Sequence, residues 1–488
     1  FHPPACQWRL IPQGCAARAG AATRAVAVGV AGLTAAGGAD QAAAAMANRP
    51  QTLRDRDRAY VWHPATHFAD LERLPPIAVE RAAGCWLYDD AGGRVLDAIA
   101  SWWTCVHGHG HPAIVAAIRA QAERLDHVMF AGFTHAPAVE LAQALLELAP
   151  PGLGKVFFAD CGSAAVEVAL KLSYQRRQQT GEPRRRRFAT LRNSYHGETL
   201  GALALCGSGP YRDSFAPLLF DALELPAPGF PEHRPADSDS DLGADTPEAT
   251  AAVALLERHA AELSAVVIEP LVQCAGRMTM TGTGFYRRLA AAARRLEIDV
   301  IADEIAVGFG RTGQAFASQW AGVTPDFLCL SKGLAGVLPL AAVLIRSGFE
   351  DAFTGAPARS FLHSHTFTAN PITCAAALAG VGLLRELLPG LPARVAAIAA
   401  RREAVAAACP AIVAQRQIGM ICAFQVDPAR APADGRLGLR LREAALERGV
   451  LLRPLHDTIY WLPPLVIDDA ELDLLAAVTI DAVHAALA

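Results

Sequence analysis

The chain has 488 residues, of which 52% are hydrophobic and 19% charged, and its formal net charge at pH 7 is −4. That composition is enough for a large folded core in two or three domains and excludes a disordered chain. The mildly acidic balance offers no basic face to nucleic acid, and we interpret the arginine run at 184–187 as a solvated loop.

Residues 1–45 differ from the rest of the chain because they are rich in alanine and glycine, carry three arginines and one acid, and lack periodicity. We expect the natural chain to start at Met46 and the upstream residues to be over-extended translation that forms no domain. The alternatives are an arginine-rich, acid-poor targeting peptide and a secretory signal.

The 11 cysteines are scattered, without a Cys-x-x-Cys pair or a histidine at zinc-ligand spacing. We therefore expect free buried thiols in a reducing, cytoplasmic compartment, with no metal site. The uncharged stretch at 25–39 is too short and too rich in glycine and alanine to span a bilayer, so we expect no membrane association.

The pattern becomes regular from about residue 76. Strands are predicted at 77–81 and 85–89 with a hairpin turn at 90–93, and helices at 113–125 and 135–150. From 155 to 345 short β-runs alternate with helical patterns, which is typical of a parallel sheet covered on both faces. The predicted strands are 155–159, 187–191, 265–269, 299–303, 326–330 and 341–345, and the predicted helices are 164–175 and 283–296.

Two further segments complete the predicted organisation. The proline- and acid-rich residues 226–248 are predicted to be a surface excursion. The helix-rich tail from residue 375, with β-like runs at 420–426 and 458–462, predicts a smaller α+β domain.

Lysine is scarce, since only three of the 44 basic residues are lysines: Lys155, Lys171 and Lys332. Arginine can replace lysine wherever only positive charge is needed, but its guanidinium stays protonated and cannot form an imine. Lys332 follows a hydrophobic strand, where an enclosed lysine can form Schiff bases with aldehydes, and Gly333 permits close approach of backbone or ligand. Lys155 and Lys171 have ordinary interpretations, as a strand start and an exposed helix residue.

Two other features lie at predicted strand ends. Gly162 and Ser163 form a turn between a strand and a helix, whose free N–H groups favour a phosphate, although an ordinary helix cap would have the same sequence. Asp303 ends a hydrophobic strand, where a buried carboxylate needs a cationic partner. That partner could be a ligand, or it could be Arg311, in which case Asp303 would have only a structural role. With Lys332, these groups suit pyridoxal phosphate: the turn binds the phosphate, Asp303 keeps the ring nitrogen protonated, and the lysine forms the imine.

Several motifs resemble those of the class III, fold-type I aminotransferases, which use pyridoxal phosphate. These motifs are Glu269-Pro270, 301–304, 308–313 and 331–333. Finer motifs at 62–64, 101–103, 131–137, 193–199, 361–371 and 453–460 are similar to the branch that converts 8-amino-7-oxononanoate to 7,8-diaminononanoate in biotin biosynthesis. The similarity runs from about residue 55 to the C-terminus.

The resemblance implies an α/β fold with a mainly parallel seven-stranded sheet. The large cofactor-binding domain would span 113–375, and both chain ends, 46–112 and 376–488, would form a smaller α+β domain. It also implies a homodimer with an active site shared across the interface.

The resemblance also assigns roles in cofactor binding. Gly162 and Ser163 would bind the cofactor phosphate, joined by His365 and Thr366 of the neighbouring subunit. Tyr195 would stack on the pyridine ring and line the substrate site. Ile305 would cover the other face of the ring, Asp303 would pair with its nitrogen, and Lys332 would carry the cofactor.

On the substrate side, the resemblance implies that Trp102 and Trp103 border a channel. Arg453 would bind the substrate carboxylate, with Tyr460 nearby and Ser364 in contact with the substrate. Without the resemblance, the tandem tryptophans could equally be core residues, Tyr195 an ordinary loop contact, and Arg453 a surface arginine.

The sequence departs from the family pattern at Ala65, where a tyrosine usually helps to recognise the amino donor. The loss of that hydroxyl widens the donor pocket, and His363-Ser364-His365 is similar to variants that use lysine. S-adenosylmethionine is the expected donor and lysine the alternative. The competing functions are an ω-amino acid or diamine transaminase, an aminomutase or decarboxylase, and a non-enzymatic ligand-binding protein.

Overall fold

The computed structural model describes residues 52–230 and 241–488. The chain divides into two compact units, residues 1–75 and 76–488. The predictions for residues 1–45, and for 231–240 within the excursion, lie outside the described residues.

The described part of the first unit, 52–75, contains the helices α1 (Leu53–Tyr60) and α2 (Asp70–Arg73). A capping box starts α1: the Thr52 hydroxyl accepts from the Asp55 N–H, and the Asp55 carboxylate accepts from the Thr52 N–H. Ala65 is exposed between the two helices, with a φ of 47°.

The second unit begins with three strands and two helices: β1 (Val79–Ala83), β2 (Trp86–Asp89), β3 (Arg94–Asp97), α3 (Pro112–Ala122) and α4 (Ala136–Leu148). The predicted turn at 90–93 is a hairpin turn, but it joins β2 to β3, a strand that the sequence analysis missed. The β1–β2 hairpin turns instead at Gly84, which has a φ of 56°.

The central part alternates strands and helices. Its elements are β4 (Leu153–Ala159), α5 (Gly162–Gln179), β5 (Arg187–Leu191), α6 (Leu200–Ala204), α7 (Pro210–Asp213), β6 (Leu223–Leu225), α8 (Pro247–His259), β7 (Leu263–Ile268), β8 (Val272–Gln273), β9 (Thr279–Met280), α9 (Thr283–Arg295), β10 (Asp299–Asp303), α10 (Ser318–Ala321), β11 (Phe327–Leu330) and β12 (Ala341–Arg346).

Seven of these strands form one sheet in the order β4-β12-β11-β10-β7-β5-β6. All neighbours are parallel except that β12 runs antiparallel to both β4 and β11. The strands β7, β10 and β11 are buried along their whole length, as expected for a sheet covered on both faces. The expected mainly parallel, seven-stranded α/β sheet is confirmed.

The C-terminal part contains α11 (Pro371–Leu387), α12 (Leu391–Ala408), β13 (Ile412–Ile418), β14 (Ile421–Val426), α13 (Leu437–Leu446), β15 (Val450–Leu451), β16 (Thr458–Trp461) and α14 (Asp469–Leu487). β13, β14 and β16 form an antiparallel sheet. β15 pairs with β3, so segments from both ends of the second unit share a sheet. The domain boundaries at 112 and 375 stay a prediction.

Among the described residues, Pro371–Ala408 is the one segment long and apolar enough to span a membrane by composition. The expectation from the sequence concerned only residues 25–39 as a possible membrane span and did not consider this segment. This segment forms α11 and α12, and both helices bury apolar side chains in the core, among them Val381, Leu384, Leu391 and Ile398. A core helix has the same apolar composition as a membrane span, which explains the match.

Candidate active site

The carboxyl ends of β10 and β11 border a cavity of ≈ 460 Å³. Asp303 is the last residue of β10 and pairs in register with Cys329 of β11, and Lys332 follows β11 by two residues. Because parallel strands end at the same edge of the sheet, the two side chains reach one cavity. Its lining includes the predicted site residues Trp103, Gly162, Ser163, Tyr195, Asp303, Ile305 and Lys332.

Asp303 is buried and held on both oxygens. Its Oδ2 lies 2.7 Å from His196 Nδ1, and its Oδ1 accepts from the Ile305 N–H at 3.1 Å. Burial opposes charging of His196, but the bond to Asp303 outweighs it and raises the pKa of the imidazole. The structural alternative for Asp303 is wrong, since Arg311 instead donates to the carbonyls of Trp103, Leu462 and Pro463.

Lys332 combines partial exposure to the cavity with a strained backbone, because its φ is 43°. The protein around the ammonium lowers its pKa by desolvation, although Asp303 partly offsets that effect. A lowered pKa leaves more of the amine neutral and nucleophilic at neutral pH. At Gly333, a Cβ would lie 3.0 Å from the Val106 side chain and 3.1 Å from the Phe309 side chain, so the groups that approach this glycine closely are side chains and not the expected backbone or ligand.

The turn at Gly162 begins the 18-residue helix α5. Among the described residues, no side chain accepts a hydrogen bond from the first N–H groups of this helix. These N–H groups lie at the cavity, where a bound anion could accept from them. The Ser163 hydroxyl accepts from the Glu198 N–H at 3.2 Å. A Cβ on Gly162 would lie 3.0 Å from Ile305, which places Ile305 directly against the turn.

Tyr195 is fixed at both ends. Its hydroxyl donates to Glu198 Oε1 at 2.7 Å, and its backbone N–H donates to Glu269 Oε2 at 3.0 Å. Burial raises the pKa of Glu269 to about 7, an effect that the nearby His196 partly offsets. Sequence reasoning missed the roles of His196 and Glu269, although both lie inside the quoted motifs.

The tandem tryptophans lie on a turn whose four residues, Ala100–Trp103, have φ values of 46°, 45°, 66° and 75°. Such left-handed backbone costs roughly 1–2 kcal/mol for each L-residue that is not glycine. Trp103 is 5% exposed and lines the cavity, whereas Trp102 is 41% exposed. The two neighbouring rings therefore lie in different environments.

Each tryptophan contacts one of the predicted substrate residues. Lys332 Nζ lies 4.9 Å from the Trp103 ring centroid, and Trp103 Nε1 donates to the Tyr460 hydroxyl at 3.2 Å. The Arg453 guanidinium lies 4.4 Å from the Trp102 ring centroid. Trp103 thus contacts both Lys332 and Tyr460, whereas Trp102, Arg453 and Tyr460 are not among the residues that line the cavity. Among the ion pairs of the described residues, Arg453 has no carboxylate partner.

The predicted residues of loop 361–370 lie outside the cavity lining of their own chain. His365 Nδ1 lies 2.8 Å from Asp160 Oδ2, and Ser364 and Thr366 are exposed. Lys171 is exposed, as expected, and its Nζ lies 2.9 Å from His363 Nδ1. Ala65 lies in the first unit.

The sequence predicts no metal site, which can be compared with the side-chain clusters of the structure. Within residues 52–230 and 241–488, no group of three or more histidine, cysteine, aspartate or glutamate side chains is arranged to hold a metal ion. The groups that converge on the cavity are instead an enclosed amine, a buried carboxylate and an uncapped helix N-terminus. This set suits an anionic, aldehyde-bearing ring with a basic nitrogen.

The fold and this set of residues are those of an aminotransferase. Residues 68–483 match the family model described as Aminotransferase class-III, and the chain belongs to that family of pyridoxal-phosphate-dependent enzymes. It is 42% identical over 441 residues to adenosylmethionine-8-amino-7-oxononanoate aminotransferase of Geobacter sulfurreducens, an alignment that covers 87% of this chain and 96% of that protein.

Solved structures agree. The adenosylmethionine-8-amino-7-oxononanoate aminotransferase of Methanocaldococcus jannaschii superposes with a TM-score of 0.82 at 29% identity, covering 88% of this chain and 98% of that chain. The omega transaminase of Pseudomonas jessenii in complex with PMP has a TM-score of 0.78 at 26% identity, covering 89% and 98%.

Proposed function

We propose that the chain is a transaminase of biotin biosynthesis that converts 8-amino-7-oxononanoate to 7,8-diaminononanoate. Pyridoxal 5'-phosphate is the cofactor and S-adenosylmethionine the amino donor. The names of the Geobacter and Methanocaldococcus relatives support this substrate pair. In the overall reaction the CH–NH₂ of the donor becomes C=O and the C=O of the acceptor becomes CH–NH₂, so atoms and electrons balance between the two substrates.

The observation that carries the proposal is the position of Arg453. Its guanidinium lies on Trp102, and the neighbouring Trp103 lies between Tyr460 and the Lys332 amine. An oxononanoate has a reactive ketone near one end, an apolar chain, and a carboxylate at the other end. An aromatic wall with a fork-shaped cation at its outer end matches these three parts.

The cofactor, when bound, supplies a ring that withdraws electrons from the carbon that loses its proton. The Ser163 hydroxyl and the first N–H groups of α5 would bind its phosphate. Ile305, which lies beside that turn, would cover one face of the ring, and Tyr195, which also lines the cavity, would cover the other.

The two charged groups hold and move protons. Asp303 keeps a proton on the ring nitrogen, and the bond to His196 keeps this carboxylate oriented toward the cavity. Lys332 Nζ, as a free amine, would take the proton that the substrate carbon loses and donate it to a carbon of the bound cofactor, and it would move a proton in the opposite direction for the second substrate.

The assembly and location follow the same proposal. The enzyme is a cytoplasmic homodimer, and His365 and Thr366 of each chain reach the phosphate site of the neighbouring chain. The exposure of Thr366 in its own chain supports such a position. Small molecules are its partners, without nucleic acid or membrane.

Lysine as amino donor is the second candidate. Ala65 in place of a tyrosine and the His363-Ser364-His365 sequence favour it. An ω-amino acid or diamine transaminase is less favoured, because the tandem tryptophans with Arg453 and Tyr460 suit a long apolar acid better than a short amino acid or a diamine.

The test incubates the purified holoenzyme with 8-amino-7-oxononanoate and either S-adenosylmethionine or lysine, and measures 7,8-diaminononanoate by mass spectrometry. We expect product with S-adenosylmethionine. Arg453→Ala should raise KM for the acceptor by about 10–100-fold, since a charge-assisted bond is lost. Arg430→Ala, a change at an exposed arginine, is the matched control and should leave KM unchanged.

If product formed with lysine but not with S-adenosylmethionine, lysine would be the amino donor. If product formed with neither donor, the proposed reaction would be contradicted.

A further inference from the structure

The left-handed turn at Ala100–Trp103 has no glycine in it. All four φ values lie between 45° and 75°, and the Trp103 N–H donates to the Ile99 carbonyl at 2.7 Å, so the turn is a closed left-handed helical turn. L-residues leave this conformation unless their surroundings hold it. If the turn relaxed, both indole rings would point elsewhere.

The carboxylate of Asp97 holds the turn through hydrogen bonds. Asp97, the last residue of β3, is fully buried, and its Oδ2 accepts from the Ser101 hydroxyl at 2.8 Å. The same oxygen lies 2.9 Å from His109 Nε2, and Oδ1 accepts from the Ile99 N–H at 3.3 Å. The turn is thus tied to the end of a strand through its second residue and through the residue before it.

His109 is itself fixed by the backbone. Its N–H donates to the Gly84 carbonyl at 2.7 Å, and its carbonyl accepts from the Gly84 N–H at 3.0 Å. Its Nδ1 lies 3.6 Å from Cys105 Sγ. The imidazole therefore approaches Asp97 from a position set by the β1–β2 hairpin.

We propose that Asp97, Ser101 and His109 form a positioning unit that holds Ala100–Trp103 left-handed and thereby sets selectivity for a long-chain substrate with a terminal carboxylate. The unit places Trp103 between Lys332 and Tyr460 and places Trp102 under Arg453. The substrate class rests on the proposed function, whereas the holding of the turn rests on the contacts alone.

The charges in the unit agree with this role. Burial opposes charging of His109, but its bonds to Asp97 and Cys105 outweigh burial and raise its pKa to about 10. At neutral pH the imidazole is a cation that donates to the buried Asp97 carboxylate. Because a carboxylate oxygen can accept more than one hydrogen bond, Asp97 Oδ2 accepts from the Ser101 hydroxyl as well. Because the unit contacts the channel wall and not Asp303, it acts on substrate binding more than on cofactor binding.

The decisive experiment compares Ser101→Ala with Ser101→Gly. Both remove the hydroxyl, but glycine adopts a positive φ without steric cost, whereas alanine does not. With the holoenzyme, we expect Ser101→Ala to raise KM for 8-amino-7-oxononanoate roughly tenfold with kcat within about twofold, as for one lost bond to a charged group. Ser101→Gly should raise KM by about threefold or less.

A second pair tests the imidazole. In His109→Gln the amide can still donate to Asp97, and KM should stay near that of the wild type; His109→Leu should behave as Ser101→Ala does. The visible absorbance of the cofactor at Lys332 should be unchanged in all four variants. If His109→Leu does not fold, the Ser101 pair still decides.

Calorimetric titration of the holoenzyme with nonanoate, which has neither an amine nor a ketone to react, separates this proposal from the proposed function. Ser101→Ala should weaken nonanoate binding in the wild-type background but not in Arg453→Ala, where the carboxylate contact is already lost. This result would support the positioning unit even if the enzyme did not aminate 8-amino-7-oxononanoate. Equal losses in Ser101→Ala and Ser101→Gly, or unchanged nonanoate affinity in Ser101→Ala, would overturn the proposal.

Discussion

The two sides of the cavity are built differently. On the cofactor side, Asp303 and Lys332 lie at the ends of buried parallel strands, and α5 begins at the same edge of the sheet. On the proposed substrate side, Trp103 lines the cavity and lies with Trp102 on a left-handed turn, whereas Arg453 and Tyr460, which are not among the cavity-lining residues, come from a segment some 350 residues later. The parallel sheet therefore brings the reacting groups to one edge, although Lys332 has a left-handed backbone and Asp303 is held by His196. The proposed channel wall depends on side-chain contacts across long sequence separations alone.

This difference predicts which kinetic constant a substitution on each side should change. Changes on the cofactor side should remove the chemical step, because Asp303 and Lys332 act directly on the reacting atoms and lie at one edge of the sheet. Changes on the substrate side should mainly alter KM, because several contacts share the task of positioning.

The largest effect is expected for Lys332→Arg. The substitution keeps a positive charge but cannot form an imine, so turnover should fall by roughly 10³-fold or more. The visible absorbance of the lysine-bound cofactor should also disappear. Lys155→Arg is the matched control because Lys155 is exposed on β4, and it should keep full activity. Residual turnover of Lys332→Arg above a few per cent would contradict the assignment.

Asp303→Asn should come next. The amide cannot stabilise a proton on the ring nitrogen, so we expect kcat to fall by roughly 10²–10³-fold with KM little changed. His196→Gln, which acts through Asp303, should lose only about tenfold. In the double variant the two losses should be less than additive, since both act on one hydrogen bond. Full additivity in single-turnover kinetics would show that His196 acts independently of Asp303.

The same difference explains what the sequence could predict. The buried strands, the Gly162 turn, Asp303 and Lys332 follow from hydrophobic runs with a polar residue at each end, a pattern visible along the chain. The left-handed turn has no glycine to mark it, and the contacts of Asp97 with Ser101 and His109 are a tertiary arrangement. The alternative pairing of Asp303 with Arg311 was wrong for a related reason, because Arg311 and His196 both lie in motifs of the sequence and only packing decides which of them contacts Asp303.

The substrate side should also respond to pH through His109. Its folded pKa of about 10 lies above the ordinary histidine value of 6.5, so its contribution to stability is complete below pH 6.5 and is lost as the pH rises through 10. We expect the difference in unfolding free energy between wild type and His109→Gln to shrink by roughly 1–3 kcal/mol over that interval. Chemical denaturation at pH 6, 8 and 10 measures it. A difference that grows with pH would show that the imidazole is neutral in the folded protein.

Tyr460→Phe should have the smallest effect. It removes the acceptor of the Trp103 indole N–H, and both side chains are buried, so the indole loses its partner without gaining water. An unsatisfied buried donor costs about 1–3 kcal/mol of stability. Part of that strain should relax by a small shift of Trp103, which gives a rise of a few fold in KM for the acceptor at unchanged kcat. Tyr60→Phe, at an exposed tyrosine of the first unit, is the control and should leave both constants unchanged. If Tyr460→Phe lowered kcat instead, the tyrosine would act in the chemical step, and the separation between the two sides of the cavity would not hold.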